Sequence, residues 1–230
     1  MDMDAIKVPK GVRVFRRLRM GSGMTKQNLL KDYREKRNFT VTGEPEGSVQ
    51  HRSSKKNLLY VFHKHQASHL HYDFRLEWGG VLLSWAVPKG PSLDTTVKRL
   101  AERVEDHPLE YAGFEGVIPE GEYGAGTVML WDLGTWTPDD SNVEESLRAG
   151  ELKFKLNGEK LRGAWVLVRT GTEDHGSKKA SWLLMKRKDR YASTGDILAD
   201  RPRSVASDRL LADIAREYNG NVDKAAKGDP

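Results

Sequence analysis

The sequence predicts a mainly β fold, a small antiparallel barrel in preference to a sandwich, with short flanking helices. Short apolar runs recur at close spacing with turn residues between them, and few stretches carry helical periodicity. The clearest run is His71 to Trp78, where His71, Asp73, Arg75 and Glu77 alternate with Tyr72, Phe74, Leu76 and Trp78, the period of a strand with one polar and one apolar face.

Leu58 to His63 reads as the first strand and His71 to Trp78 as the second, with Gly79-Gly80 as a hairpin turn into a third, Val81 to Val87. Pro88-Lys89-Gly90-Pro91 then breaks the chain. Lys98 to Glu105 alternates again, placing Arg99, Ala101, Arg103 and Glu105 on one side and Leu100 and Val104 on the other; continued to His107, the polar side also carries the imidazole. Phe114 to Ile118 follows, then the loop Pro119 to Gly126, then a strand from Thr127 to Trp131 that Asp132-Leu133-Gly134 ends. A helical turn is expected around Val143 to Arg148. Further strands are Glu151 to Leu156, turned at Asn157-Gly158, then Gly163 to Arg169 and Ser181 to Lys186, with a charged loop from Gly171 to Lys179 before the last.

Hydrophobic content of 37% and charged content of 31% are too polar for all 230 residues to share one core, so a core flanked by solvated ends is expected. Residues 1–36 carry many Lys and Arg around Gly21-Ser22-Gly23 and read as a mobile basic arm with a short helix near Lys26 to Lys36. Two readings fit it, a solvated tail or attraction to a phosphate backbone. Residues 42–57 read as a loop, 37–192 as the barrel domain, and 193–230 as a polar tail outside the core, with Arg201 to Val205 extended and Asp208 capping a short helix over Leu210 to Tyr218. The net charge of +5 favours polyanionic partners modestly. With no cysteine, disulfides and thiolate metal sites are excluded and an intracellular location is the default; no apolar run reaches membrane-spanning length, so a cytoplasmic protein without a membrane partner is expected.

A strand that buries aromatics normally shows Thr, Ser or Lys on its other side, so a row of imidazole, carboxylate and guanidinium reads as a site. His65 lies six residues before His71, near enough for a turn through Gln66-Ala67-Ser68 to bring it beside His71 and Asp73. A lone His on a strand is more often structural, but His65, His71 and Asp73, with Arg75 on the same face, suit a divalent transition metal with open positions. The stretch Gly121-Glu122-Tyr123-Gly124-Ala125-Gly126 lacks both the Lys-Ser/Thr of a phosphate loop and a strand-to-helix setting, and reads as a tight turn.

The runs HYDFRLE (71–77), SWAVPKGPS (84–92), VEDHPLEY (104–111) and FEGVIPEGEYGAGTV (114–128) resemble the 3'-phosphoesterase domain of bacterial DNA ligase D, the ligase of nonhomologous end joining, and its stand-alone relatives. LLKDYREKRNF (29–39) and WLLMKRKDRYA (182–192) extend the resemblance at both ends. It implies a compact closed barrel of about eight strands. It also implies a Mn2+ site of His65, His71 and Asp73, other divalent transition metals being alternatives, with Arg75, Arg99 and His107 holding the reacting phosphate. Lys89, Glu105, Asp106 and Tyr111 support the site, and Arg37 and Glu44 match family positions that act on the nucleic-acid end or help the diesterase step. Asn38 stands where the family usually has Asp, which bears on the diesterase step, and His63 where Gln is common.

The chemistry fits these residue types. Removing a 3'-phosphate or a 3'-terminal ribonucleoside needs charge stabilisation on the nonbridging oxygens and a proton for the leaving alkoxide. Paired guanidinium donors and a metal serve the first need, and His107, an imidazole able to exchange protons near neutral pH, is the candidate for orienting or protonating the phosphate group. The expected function is a manganese-dependent phosphoesterase that trims DNA 3' ends, some bearing ribonucleotides, to a 3'-hydroxyl in end-joining repair. A DNA ligase and end-joining factors would act in trans, at the nucleoid in a prokaryote. The rival is a noncatalytic DNA-binding accessory module of an end-joining complex.

Overall fold

A computed structural model describes residues 29–49, 57–170 and 181–230. The basic run before residue 29, residues 50–56 of the polar loop and the charged loop 171–180 lie outside the described residues. The strands are β1 Leu58–Gln66, β2 Leu70–Trp78, β3 Val81–Val87, β4 Lys98–His107, β5 Gly116–Ile118, β6 Gly126–Pro138, β7 Glu151–Gly158, β8 Arg162–Arg169 and β9 Ser181–Lys186. All pairings are antiparallel, in the order β1-β2-β3-β4-β9-β8-β7-β6, and β6 pairs back onto β1 to close the ring. β5 pairs only with β6 and hangs outside, so the sheet of nine strands is a closed barrel of eight with one appended strand, the mainly β barrel expected.

Local sequence explains the elements. In β7, Leu152, Phe154 and Leu156 are buried while Glu151, Lys153, Lys155 and Asn157 are exposed, the alternation of a strand with one solvated face. The β2–β3 hairpin turns on Gly79 and Gly80 with φ of +63° and +89°, the left-handed pair a two-residue turn of this kind requires. Helix α1 covers Lys31–Glu35. Helix α2, Val143–Ala149, starts where the Asn142 side chain accepts from the Glu145 N–H and stops at left-handed Gly150. Among the described residues no helix is long and apolar enough to cross a membrane.

The barrel interior is aromatic, with Phe62, Phe74, Trp85, Trp131, Trp136, Phe154 and Trp165 essentially inaccessible. A second apolar cluster, Tyr33, Val61, Leu82, Leu109, Tyr111, Ala112 and Leu130, forms on the outer face of β1–β3 beneath α1 and a 3-10 turn at Leu109–Gly113. The polar row of β2 therefore faces outward, at the edge of this second cluster.

Four expectations are corrected. β6 does not end at Trp131: it runs through Asp132-Leu133-Gly134, because the Asp132 carboxylate is buried and accepts from Tyr60 Oη (2.6 Å) and the Lys160 and Leu161 backbone N–H groups (both 2.9 Å). A register shift between Phe62 and His63 absorbs the extra β6 residue there.

The segment after 193 is not outside the core. α3 spans Ile197–Asp200, α4 Leu211–Glu217 and α5 Val222–Ala226; Leu211, Ile214, Ala215 and Ala225 are fully buried in the same apolar cluster as the barrel interior. Asp208 does not cap the helix. Instead Asp213 accepts from the Leu210 N–H, and the Asp229 carboxylate accepts from the Leu211 and Ala212 N–H groups. Residues 201–207 are strapped down: Lys160 Nζ donates to the Arg201 and Arg203 carbonyls, Trp131 Nε1 donates to the Arg201 carbonyl, and Ser204 and Ser207 donate to Glu115. At the other end, Leu30 and Tyr33 are fully buried, so the core already takes in residues assigned to the basic arm.

Candidate metal and phosphate site

β1 and β2 bring the ligand candidates together by register. His65 pairs directly with His71, and His63 with Asp73, across a hairpin whose turn is residues 67–69. One ligand atom each from His65, His71 and Asp73 lie within 4.8 Å of one another. His65 Nδ1 is 3.6 Å from Asp73 Oδ2, and His71 Nε2 is 3.6 Å from Asp73 Oδ1.

The two imidazoles are oriented by backbone carbonyls. His65 Nε2 donates to the Gly124 carbonyl at 2.9 Å and His71 Nδ1 to the His69 carbonyl at 3.1 Å. That fixes the tautomers so that the bare nitrogens, Nδ1 of His65 and Nε2 of His71, face the carboxylate, the arrangement that prepares histidines to bind a metal. Burial opposes ionisation of Asp73, but Arg75 with His65 and His71 holds its carboxyl well below the usual range. Burial in turn lowers His71. A neutral His71 and an ionised Asp73, with His65 presenting Nδ1 beside them, suit a divalent cation, so these residues fit one.

Arg75, 3% exposed at its side chain, lies beside the triad with Nη2 3.2 Å from Asp73 Oδ2. Its Nη1 donates to Ser84 Oγ at 2.8 Å and is 2.8 Å from His107 Nδ1. On the other side of His107, Arg37 Nη2 lies 3.2 Å from Nε2. With the proton on Nδ1, the ring donates to the Glu105 carbonyl at 2.9 Å and Nε2 accepts from Arg37, while Arg75 Nη1 lies against Nδ1 without a hydrogen bond to it. Burial, then Arg75 and Arg37, push this imidazole well below its ordinary value. That direction favours the neutral imidazole at His107.

These groups line a cleft of about 500 Å³ together with His65, His71, Asp73, Glu105, Tyr111 and Tyr123. Tyr111 is buried behind Arg75, whose Cζ is 4.9 Å from its ring centroid, and burial raises its phenol. Arg37 donates to Glu44 Oε1 at 2.9 Å, and Glu105 receives Lys36 at 3.0 Å and Arg37 at 3.4 Å. Burial opposes ionisation of Glu105, but its own backbone N–H and these cations lower it overall.

Other expected site residues lie elsewhere. Opposite Leu82 to Ser84, β4 carries an extra residue, so Leu82 faces His107 and Ser84 faces Val104. This bulge reverses the alternation. Arg103 and Ala101 fall on the side of Trp85 and the interior, and His107 falls on the outer side. Asp106 pairs with Arg103, whose Cζ is 5.0 Å from the Trp85 ring, and neither residue lines the cleft. Arg99 pairs in register with buried Leu184 and is not among the cleft residues; its Nε is buried without a hydrogen bond. Lys89 is exposed beyond Pro88 and borders a smaller hollow with Lys64, Tyr72 and Asp229. Asn38 is exposed, its Oδ1 accepting from the Thr40 backbone and hydroxyl. His63 is fully buried against Tyr111 and, through burial and Arg75, drops to about 3.

Cleft residues that sequence reasoning did not single out include His69, Glu102, Val104 and Tyr123. Tyr123 had a signal, an aromatic side chain inside the Gly-rich loop that was read only as a turn.

Residues 63–169 match the family described as the DNA Ligase D 3'-phosphoesterase domain. The chain is 52% identical over 191 residues to the multifunctional non-homologous end joining protein LigD of Pseudomonas aeruginosa, a match covering 82% of this chain and 22% of that protein. It is 42% identical over 170 residues to the multifunctional non-homologous end joining DNA repair protein LigD of Mycobacterium tuberculosis, covering 74% of this chain and 22% of that one. The LigD of Mycolicibacterium smegmatis is 40% identical over 165 residues, covering 70% and 21%. The chain thus spans about a fifth of the length of the curated relatives it matches. With these matches and the fold in hand, the chain carries a domain that belongs to the DNA ligase D 3'-phosphoesterase family.

Proposed function

We propose that this chain is a manganese-dependent phosphoesterase that heals DNA 3' ends in end-joining repair, removing a terminal 3' ribonucleoside and then the exposed 3'-phosphate to leave a 3'-hydroxyl. The observation that carries the reading is one cleft in which His65, His71 and Asp73 converge beside Arg37, Arg75 and His107. The relatives, named as non-homologous end joining proteins, support the biological setting.

His65 Nδ1, His71 Nε2 and Asp73 would hold the cation. When bound, it supplies Lewis acidity toward a phosphoryl oxygen and a template for water. Arg37 and Arg75 flank His107 and present planar N–H donors to the nonbridging oxygens, so the clamp is this pair, with Arg99 in no position on the cleft wall. A phosphate dianion between the guanidiniums offsets the lowering that Arg75 and Arg37 add to that of burial, which favours a proton on Nε2 for the leaving 3'-oxygen. Glu44 and Glu105 keep Arg37 in place, and Tyr111 backs Arg75. The Lys and Arg residues of 1–36 add attraction to the DNA backbone. Ligation of the healed end falls to a DNA ligase.

Matched primer-templates ending in a 3'-phosphate or a 3' ribonucleotide, incubated with Mn2+, test this. Release of phosphate and of the ribonucleoside, abolished by His71→Ala, is expected. An inactive wild type, or activity unchanged in His71→Ala, overturns it; DNA binding that survives without turnover would point to the accessory-module rival.

A further inference from the structure

The loop between β5 and β6 was read from sequence as a turn only, yet it carries an aromatic ring into the cleft. Tyr123 is 46% exposed, one of few large apolar side chains so exposed among the described residues, and it borders the same cleft as the His-His-Asp triad. Its position is fixed on two sides. The carbonyl of the next residue, Gly124, receives His65 Nε2 at 2.9 Å, which ties the loop directly to a ligand of the candidate metal site. Within the loop, Glu122 N–H donates to the Pro119 carbonyl and Ala125 N–H to the Glu122 carbonyl, two consecutive turns of which the second contains Tyr123.

Cations hold the ring from the second side. Lys36 Nζ lies 4.8 Å from the Tyr123 centroid and donates to Glu105 Oε2 at 3.0 Å, bridging the loop to β4. Arg37 Cζ lies 5.7 Å from the same centroid. A ring flanked by cations and still nearly half open is suited to stack a second π system. Tyr218, about as exposed at 49%, borders a separate hollow with Val117, Asn219 and Lys224.

A phosphate held between Arg37 and Arg75 must bring its own nucleoside to the rim of the cleft. We propose that Tyr123 is a stacking platform for the base of the DNA 3'-terminal nucleotide, and so a positioning residue that recognises a nucleoside-bearing end over a bare phosphate. The platform is indifferent to base identity, because every base presents a π face. The inference rests on the phosphoesterase reading for the identity of its ligand, and its test does not depend on turnover.

The probe is a primer-template with 2-aminopurine at the 3' terminus bearing a 3'-phosphate, mixed with the full chain without added metal. The expected result is several-fold quenching of its emission by the wild type, by Tyr123→Phe and by Tyr218→Ala, and little quenching by Tyr123→Ala at the same occupancy. With Mn2+ present, Tyr123→Ala should raise KM about tenfold and leave kcat within about twofold, while Tyr123→Phe stays near wild type. No quenching by the wild type, equal quenching by Tyr123→Ala, or a Tyr123→Phe variant as impaired as Tyr123→Ala overturns the platform. Quenching without phosphate release on adding Mn2+ overturns the phosphoesterase reading and leaves the platform standing.

Discussion

Arg37 reaches His107 with one arm and Glu44 with another: Nη2 lies 3.2 Å from His107 Nε2, and Nε donates to Glu44 Oε1 at 2.9 Å. Both side chains of the Arg37–Glu44 pair are nearly inaccessible, at 5% and 0%. Removing one partner of a buried pair costs about 3–5 kcal/mol. Glu105 remains 3.4 Å from Arg37, so Glu44→Ala should cost the lower end, about 3 kcal/mol, in denaturant unfolding. The same variant should raise KM for a 3'-phosphate end, because the guanidinium is no longer held against His107. A stable variant with unchanged KM would show that Glu44 does not position Arg37.

Gly126 tests how the metal site is supported. A Cβ there would stand 2.2 Å from the Gln66 carbonyl oxygen and 2.8 Å from Ala67 Cα, at a φ of +153°. Gly126→Ala must therefore push the start of β6 away from the end of β1, and with it the Gly124 carbonyl that orients His65. Loss of such an outer hydrogen bond lowers metal affinity about 10–100-fold. Calorimetric titration with Mn2+ should show that drop in Gly126→Ala, alongside a lower melting temperature. Wild-type affinity in a folded variant would contradict the orienting role of the carbonyl.

What was legible follows from where side chains obey simple periods. β2 keeps strict alternation from Tyr72 to Trp78, so its two faces could be read directly, and the pairing of His65 with His71 needed only a short hairpin. β4 misled because its bulge lies between Val104 and His107: counting by twos from Arg99 arrives at His107, whereas the structure turns the strand over on the way. Arg37 could not be recognised as the second flank of His107 from spacing, since it lies 70 residues away in sequence. Asp132-Leu133-Gly134 has turn composition, but the Asp132 carboxylate is consumed by Tyr60, Lys160 and Leu161 donors from distant parts of the chain, which lets the strand continue. The burial of α4 was hidden for the same reason, its first N–H groups being met by Asp229 from beyond the next helix.

Lys160 makes a pH prediction. It is 9% exposed, and burial lowers its amine from 10.5 to about 8, with Asp132 opposing. Below pH 8 the amine is charged in both states, and burying the charge costs stability. Between about 8 and 10.5 the unfolded chain binds more protons than the folded one, so this group makes stability rise with pH until both forms are neutral. The full change is about 3 kcal/mol. Urea unfolding of the wild type and Lys160→Met across that window should show the wild type gaining on the variant as pH rises. A constant difference would mean that the amine reaches water in the folded state.

Ile214 distinguishes an integral helix from a peripheral tail. It is fully buried on α4, in the apolar cluster that also holds the barrel interior, and α4 packs on β5 and β6. Truncating a buried Ile to Ala costs about 2–5 kcal/mol through lost burial and the cavity left behind. If α4 were an appendage, Ile214→Ala would fray it locally and leave the barrel's unfolding midpoint unchanged. Because the segment leading to α4 is fastened to the barrel by Trp131 Nε1 and Lys160 Nζ at the Arg201 carbonyl, the loss should instead appear in global unfolding. Tryptophan fluorescence should report one cooperative transition at lower denaturant, while Mn2+ affinity stays at the wild-type value, since Ile214 is not among the residues of the His65–His71–Asp73 cleft.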